Sequence, residues 1–124
     1  DGRTLIVAET LAGRLTAFTI DDDGRLRDRR VWADDLGAFP DGICLDAEGG
    51  VWFADAAGPR AVRVAEGGAV DARVETTQPC FACALGDDDG RSLYLLTAPS
   101  SDHAAAAGRG AGRVERARVE VPAA

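Results

Sequence analysis

The stretch FPDGICLDAEGGVWFADA, residues 39–56, decides how the rest of the chain is read. Pro40-Asp41-Gly42 is turn chemistry, because proline presets φ, aspartate bonds to nearby backbone and glycine accepts either sign of φ. Ile43-Cys44-Leu45 then reads as a short apolar strand, Asp46 to Gly50 as a second turn, and Val51-Trp52-Phe53 as another strand. The string is therefore a hairpin with a carboxylate, Asp41, at its mouth. Taken alone, Asp41 either shapes a turn or is aimed by the strand at something else.

Working outward from this hairpin, the chain repeats itself. DGRTLIVAET from Asp1, EGGVWFADA from Glu48 and DGRSLYLLTA from Asp89 align, each a turn followed by a strand of branched and aromatic residues. Leu5, Val51 and Leu93 are equivalent, giving offsets of 51 − 5 = 46 and 93 − 51 = 42 residues. Each copy is followed by a second strand: GRLTAFTI from Gly13, RAVRVA from Arg60 and GRVERARVEV from Gly112. Third strands, RDRRVWA and VDARVET, follow the first two copies. Leading strands, PDGICLD from Pro40 and PCFACAL from Pro79, precede the last two. Four short antiparallel strands in about 42–46 residues is the length of one β-propeller blade. The expected fold is all-β, one partial propeller domain over residues 1–124, with about two and a half four-stranded blades. Propellers close with roughly 4–8 blades, so a longer chain or self-association through the open blade faces is expected.

Bulk composition narrows the function classes. Of 124 residues, 46% are hydrophobic and 28% charged, as in a folded soluble domain. A net charge of −7 argues against nucleic acid, whose phosphates favour a basic face. No apolar run approaches the roughly 20 residues that cross a bilayer, and no secretory leader is visible. Three cysteines do not make a disulfide framework. A cytoplasmic protein is expected.

The strings TLIVAETLAGRLTAFTIDDDGRLRDRRVWA, PDGICLDAEGGVWFADA with RAVRVAEGG, ACALGDDDGRSLYLLTA and GRVERARVEVP together resemble the SMP-30/gluconolactonase/LRE-like proteins, over nearly the whole chain. The resemblance implies a six-bladed propeller of which this is the C-terminal portion, and hydrolysis of a small-molecule sugar lactone. It also implies a divalent metal ion at the propeller centre (Ca, Mg, Mn or Zn). In that family the Asp of Pro-Asp-Gly is a metal ligand and general base, and the matching residue here is Asp41. The family's remaining ligands, an Asn of an Asn-Gly pair and an early Glu, fall upstream of Asp1 by the repeat offset. One carboxylate holds a hard cation weakly, so the 124 residues alone are expected to be inactive. The alternative is a non-catalytic or truncated propeller fragment serving as a binding or interaction module. A different propeller chemistry, of the strictosidine-synthase-like kind, is less favoured by the acidic Pro-Asp-Gly.

Other candidates read as structural. Cys80-Phe-Ala-Cys83 has knuckle spacing but no second pair, so buried inert thiols are expected. Aligning PCF on PDG places Cys80 at the position of Asp41, at the channel mouth, and Cys44 in the core. His103, the single histidine, lies in the Ser100 to Arg113 stretch, read as a flexible loop because glycines follow its alanine run. Ser100, Ser101 and Asp102 beside it lack any nucleophile-elbow context. Asp21–Asp23 and Asp87–Asp89 miss the calcium-loop pattern and read as solvated hairpin tips. Trp32, Trp52, Phe53 and Tyr94 read as sheet-packing residues.

Overall fold

The computed structural model describes residues 2–124. Its ten strands are β1 Thr4–Glu9, β2 Arg14–Ile20, β3 Leu26–Ala33, β4 Pro40–Leu45, β5 Val51–Asp55, β6 Arg60–Val64, β7 Val70–Glu75, β8 Cys80–Gly86, β9 Ser92–Thr97 and β10 Arg113–Arg118. They form three antiparallel sheets, β1-β2-β3, β4-β5-β6-β7 and β8-β9-β10. Every strand read from the sequence is present: the middle blade has four strands and each flanking blade has three. This is the expected partial propeller.

Side-chain alternation in β5 shows how the blades stack. All five of its residues are buried, yet they serve two cores. Val51 and Phe53 join Leu15, Ala17, Trp32, Val62 and Val64 between the first and second blades. Trp52 and Ala54 point the other way, into Ala61, Cys80, Cys83, Leu93 and Leu95 between the second and third. A strand sandwiched on both faces must be apolar throughout, which is why VWFA lacks the polar alternation of a half-exposed strand. The outer faces of the flanking blades have no such partner. Leu5, Val7 and Val31 are 37%, 37% and 46% exposed at one end, and Leu96 and Val114 46% and 70% at the other.

Two expectations about the third blade are corrected. The Ser100 to Arg113 stretch contains one helical turn, α1 His103–Ala106, because Asp102 caps it by accepting from the Ala105 amide at 2.7 Å. Gly108 and Gly110, both at positive φ, follow it. Tyr94 does not pack between sheets: it faces away from Leu93 and Leu95, and its hydroxyl donates to Asp87. Trp32, Trp52 and Phe53 do pack between sheets. The tail returns to the second blade, where the Ala47 amide donates to the Pro122 carbonyl at 2.9 Å.

The two acidic hairpin tips are tied down. Asp21 accepts from the Asp23 and Arg25 amides, and Asp89 accepts from the Arg91 amide and pairs with Arg118. The Arg118 guanidinium beside Asp89 holds its carboxyl down at about 2.

Candidate functional site

The Pro40-Asp41-Gly42 mouth is built by a bulge. Pro40 pairs with Asp55 and Ile43 with Phe53, so β4 spends three steps where β5 spends two (43 − 40 against 55 − 53). An extra residue in one strand bends it and re-aims the side chains there. Asp41 emerges exposed from this kink. Its carboxylate makes no hydrogen bond or ion pair among the described residues. A turn-shaping aspartate would be expected to bond to neighbouring backbone, as Asp21 and Asp46 do.

Gly42 lets two inner strands meet. A Cβ there would lie 2.6 Å from the Ala82 Cα and 2.9 Å from the Phe81 carbonyl oxygen, both backbone atoms of β8. No side-chain rotation can relieve such a contact, so Gly42→Ala must push β4 and β8 apart. Overpacking of this kind costs roughly 1–3 kcal/mol. Urea unfolding should report that loss, and an unchanged midpoint would show that the strands do not meet here.

Asp55 holds the mouth from beneath. It is 2% exposed and accepts from the Phe39 and Ala57 amides, each at 3.1 Å, while Arg60 Nε donates to it at 2.8 Å. Arg60 also reaches the Gly37 carbonyl at 3.0 Å, so one ion pair fixes both sides of the chain entering β4. Sequence reading missed Asp55. The signal was available, since the polar end of an otherwise apolar VWFAD strand needs a buried partner.

The register corrects the position given to Cys80. In the third blade Cys80 pairs with Thr97 and Leu85 with Leu93, while in the second Pro40 pairs with Asp55 and Leu45 with Val51. Cys80 therefore matches Pro40, and Phe81 takes the place of Asp41. The Ala56 and Ala98 amides donate to the Phe39 and Pro79 carbonyls, which confirms the match. Aligning Pro79 with Pro40 gives an offset of 79 − 40 = 39 residues, whereas the pairing of β4 and β8 with their neighbours gives 80 − 40 = 40, so the two prolines are not equivalent. Cys80 is fully buried. Burial pushes its thiol up to about 11, and the charges of Glu115, Asp41 and Asp55 add to the effect. Cys44, expected in the core, is half-buried, with its sulfur 3.8 Å from that of Cys83.

Asp41 offers hard oxygen donors of the kind Ca²⁺, Mg²⁺ and Mn²⁺ take. Among the described residues no group of three or more His, Cys, Asp or Glu is placed to hold a metal ion. The donor chemistry of the exposed Asp41 carboxylate would suit a divalent cation. His103 opens the exposed helical turn α1, Ser100 and Ser101 precede it, and Asp102 is engaged as its cap. No helix among the described residues is long and apolar enough to cross a membrane.

One four-stranded sheet stacked between two three-stranded ones, with the inner strands β4 and β8 meeting at Gly42, defines the class as a β-propeller. The model of the SMP-30/Gluconolactonase/LRE-like region matches residues 1–99, and the chain belongs to that family. A calcium-binding protein, regucalcin, from Agrobacterium tumefaciens str. C58 is 25% identical with a TM-score of 0.80, covering 100% of this chain and 44% of its own. A gluconolactonase from Xanthomonas campestris is 28% identical with a TM-score of 0.65, covering 78% of this chain and 32% of its own. A luciferin-regenerating enzyme, 19% identical, shares the fold at a TM-score of 0.80, covering 98% and 43%. The chain spans less than half the length of each of these proteins.

Proposed function

We propose that this chain contributes Asp41 to a sugar-lactone hydrolase of the gluconolactonase type, as ligand of a divalent metal and as general base. The observation that carries the proposal is the exposed, unpartnered carboxylate of Asp41 on a bulge of the innermost strand, held from beneath by Asp55 and Arg60. Family membership and the gluconolactonase among the structural relatives support it. When bound, such an ion supplies polarisation of the lactone carbonyl. Asp41 would take a proton from the attacking water. The water oxygen bonds to the carbonyl carbon, the ring C–O bond breaks, and the leaving alkoxide receives the proton. No covalent enzyme intermediate is needed.

A second reading, a non-catalytic propeller module, is favoured by the lack, among the described residues, of any group of three or more His, Cys, Asp or Glu placed to hold a metal ion. One experiment separates the two. In a protein carrying the complete ring, Asp41→Asn should lower lactone hydrolysis by at least the ~10²-fold typical of a lost general base. Its stability should stay within about 0.5 kcal/mol, as for an exposed site. Lactone turnover and metal binding that survive the substitution would leave the module reading standing. The 124 residues alone should bind metal weakly and turn over no lactone.

A further inference from the structure

The inner strands of the second and third blades carry a feature that lactone hydrolysis does not use. The Cys44 and Cys83 sulfurs lie 3.8 Å apart across the junction of β4 and β8, and all three cysteines are free. The two residues are 39 apart in sequence, so folding alone brings them together. Cys83 is 7% exposed and its sulfur is also within reach of the Gly42 carbonyl at 3.4 Å and the Trp52 carbonyl at 3.5 Å. Cys44 is half-buried and Cys83 buried, so Cys44 is the less enclosed residue of the pair.

We propose that Cys44 and Cys83 form a peroxide-sensitive dithiol that closes to an intramolecular disulfide tying β4 to β8 beneath the Asp41–Gly42 bulge. The two sulfurs play different parts. With the Cys83 thiol as donor in the sulfur–sulfur contact, a thiolate on Cys44 is favoured and its pKa falls below the usual thiol value, with the Leu85 amide helping against burial. That same hydrogen bond, together with burial, keeps Cys83 protonated. A lowered, accessible thiol beside a resolving thiol is the arrangement that oxidises reversibly. Cys80 is excluded from it. Its sulfur faces the Ala82 carbonyl of its own strand at 3.5 Å, and it is fully buried.

Hydrogen peroxide is the oxidant. The Cys44 sulfur attacks one peroxide oxygen, the O–O bond breaks, and the hydroxide released takes the proton that Cys44 had lost, giving a sulfenic acid and water. The Cys83 sulfur then attacks the Cys44 sulfur, forming the S–S bond and breaking the S–O bond. The departing hydroxide takes the Cys83 proton as a second water. Two thiols lose two electrons and one peroxide gains them. An S–S bond is about 2.05 Å long, so the sulfurs must approach by rotation about their Cα–Cβ bonds. Gly42, which brings the two strands into contact, keeps that movement small.

Peptide mapping of the peroxide-treated chain tests this without any substitution. Tryptic peptide 31–60, which holds Cys44, should be joined to peptide 74–91, which holds Cys80 and Cys83, with the loss of two hydrogens and with reversal by dithiothreitol. Fragmentation should place the bond at Cys83. Cys80→Ser should retain the cross-link, and Cys83→Ser should abolish it. The oxidised chain should melt at a higher temperature than the reduced one. A bond between Cys44 and Cys80, a disulfide between two chains on a non-reducing gel, or oxidation to sulfinic acid with no cross-link would each overturn the proposal. Because the readout is covalent, it stands or falls independently of the lactonase reading.

Discussion

Arg63→Ala is expected to cost about 3 kcal/mol, seen as a large fall in the urea midpoint. Arg63 on β6 is 11% exposed at its side chain and joins three carboxylates, Asp46, Glu48 and Asp71. Asp46 is fully buried and takes two bonds from the guanidinium, from Nε at 2.6 Å and from the second nitrogen at 3.1 Å. Removing one partner of a buried pair typically costs roughly 3–5 kcal/mol, because the remaining charge is left in a poorly solvated place. The Glu48 and Gly50 amides still donate to Asp46, each at 3.0 Å, which sets the expectation at the lower end. Arg63→Lys keeps the charge but not the two-pronged geometry, and should fall between the two.

The same pair sets an acid dependence. Burial pushes the Asp46 carboxyl up, but the Arg63 guanidinium and the two amides outweigh it and leave the pKa below its ordinary value. A depressed folded-state pKa contributes stability that is present above the unfolded value, about 3.9 for Asp, and is lost as pH falls through the folded value. The native chain should therefore lose stability below about pH 4. In Arg63→Ala this limb should be shallower, because Asp46 no longer has a cation to favour its charged form. A variant whose deficit is the same at pH 3 and pH 7 would show that the ion pair is not its source.

Phe53→Ala is expected to cost as much by a different route. Phe53 is fully buried, pairs across strands with Ile43 and Val62, and fills the space between the first two blades beside Leu15, Trp32 and Val64. Deleting a buried aromatic ring removes its transfer free energy and leaves a cavity, together about 3–5 kcal/mol. Domains of this size are stable by only about 5–15 kcal/mol, so the loss should be visible as weakened cooperativity between the blades. Leu11→Ala is the control, because Leu11 is 92% exposed and should change stability by less than about 0.5 kcal/mol. Equal effects at the two positions would mean that the blades do not share the core described above.

Much of this architecture was legible in the sequence because a propeller writes each blade as a repeat. Leu5, Val51 and Leu93 carry the same strand in three copies, and the turns between strands are marked by Gly and Asp. The bulge at Asp41 was not legible. It depends on the step at which β4 pairs with β5, and the prolines at which the two motifs were aligned, Pro40 and Pro79, are not equivalent in the sheets. That is why Cys80 was set one place from its true register. The Arg63 cluster was hidden for another reason: Asp46 and Arg63 are 17 residues apart, and in a chain with 14 arginines no spacing rule selects that pair. Asp102 shows the limit of composition, since a single cap turned an Ala/Gly stretch into a helical turn. Asp41 stood out through its motif, and among the described residues no group of three or more His, Cys, Asp or Glu is placed to hold a metal ion.

The proposed role of Asp41 requires its carboxylate to reach a divalent cation at the propeller centre. Anomalous scattering from Mn²⁺ in crystals of a protein with the complete ring tests it most directly. One strong peak is expected on the propeller axis, within about 2.6 Å of an Asp41 carboxylate oxygen, the outer limit for a hard cation of this kind. That peak should be absent in Asp41→Asn. A peak bound by other residues, with Asp41 turned into its own hairpin and bonded to local backbone, would contradict the claim and return Asp41 to turn chemistry.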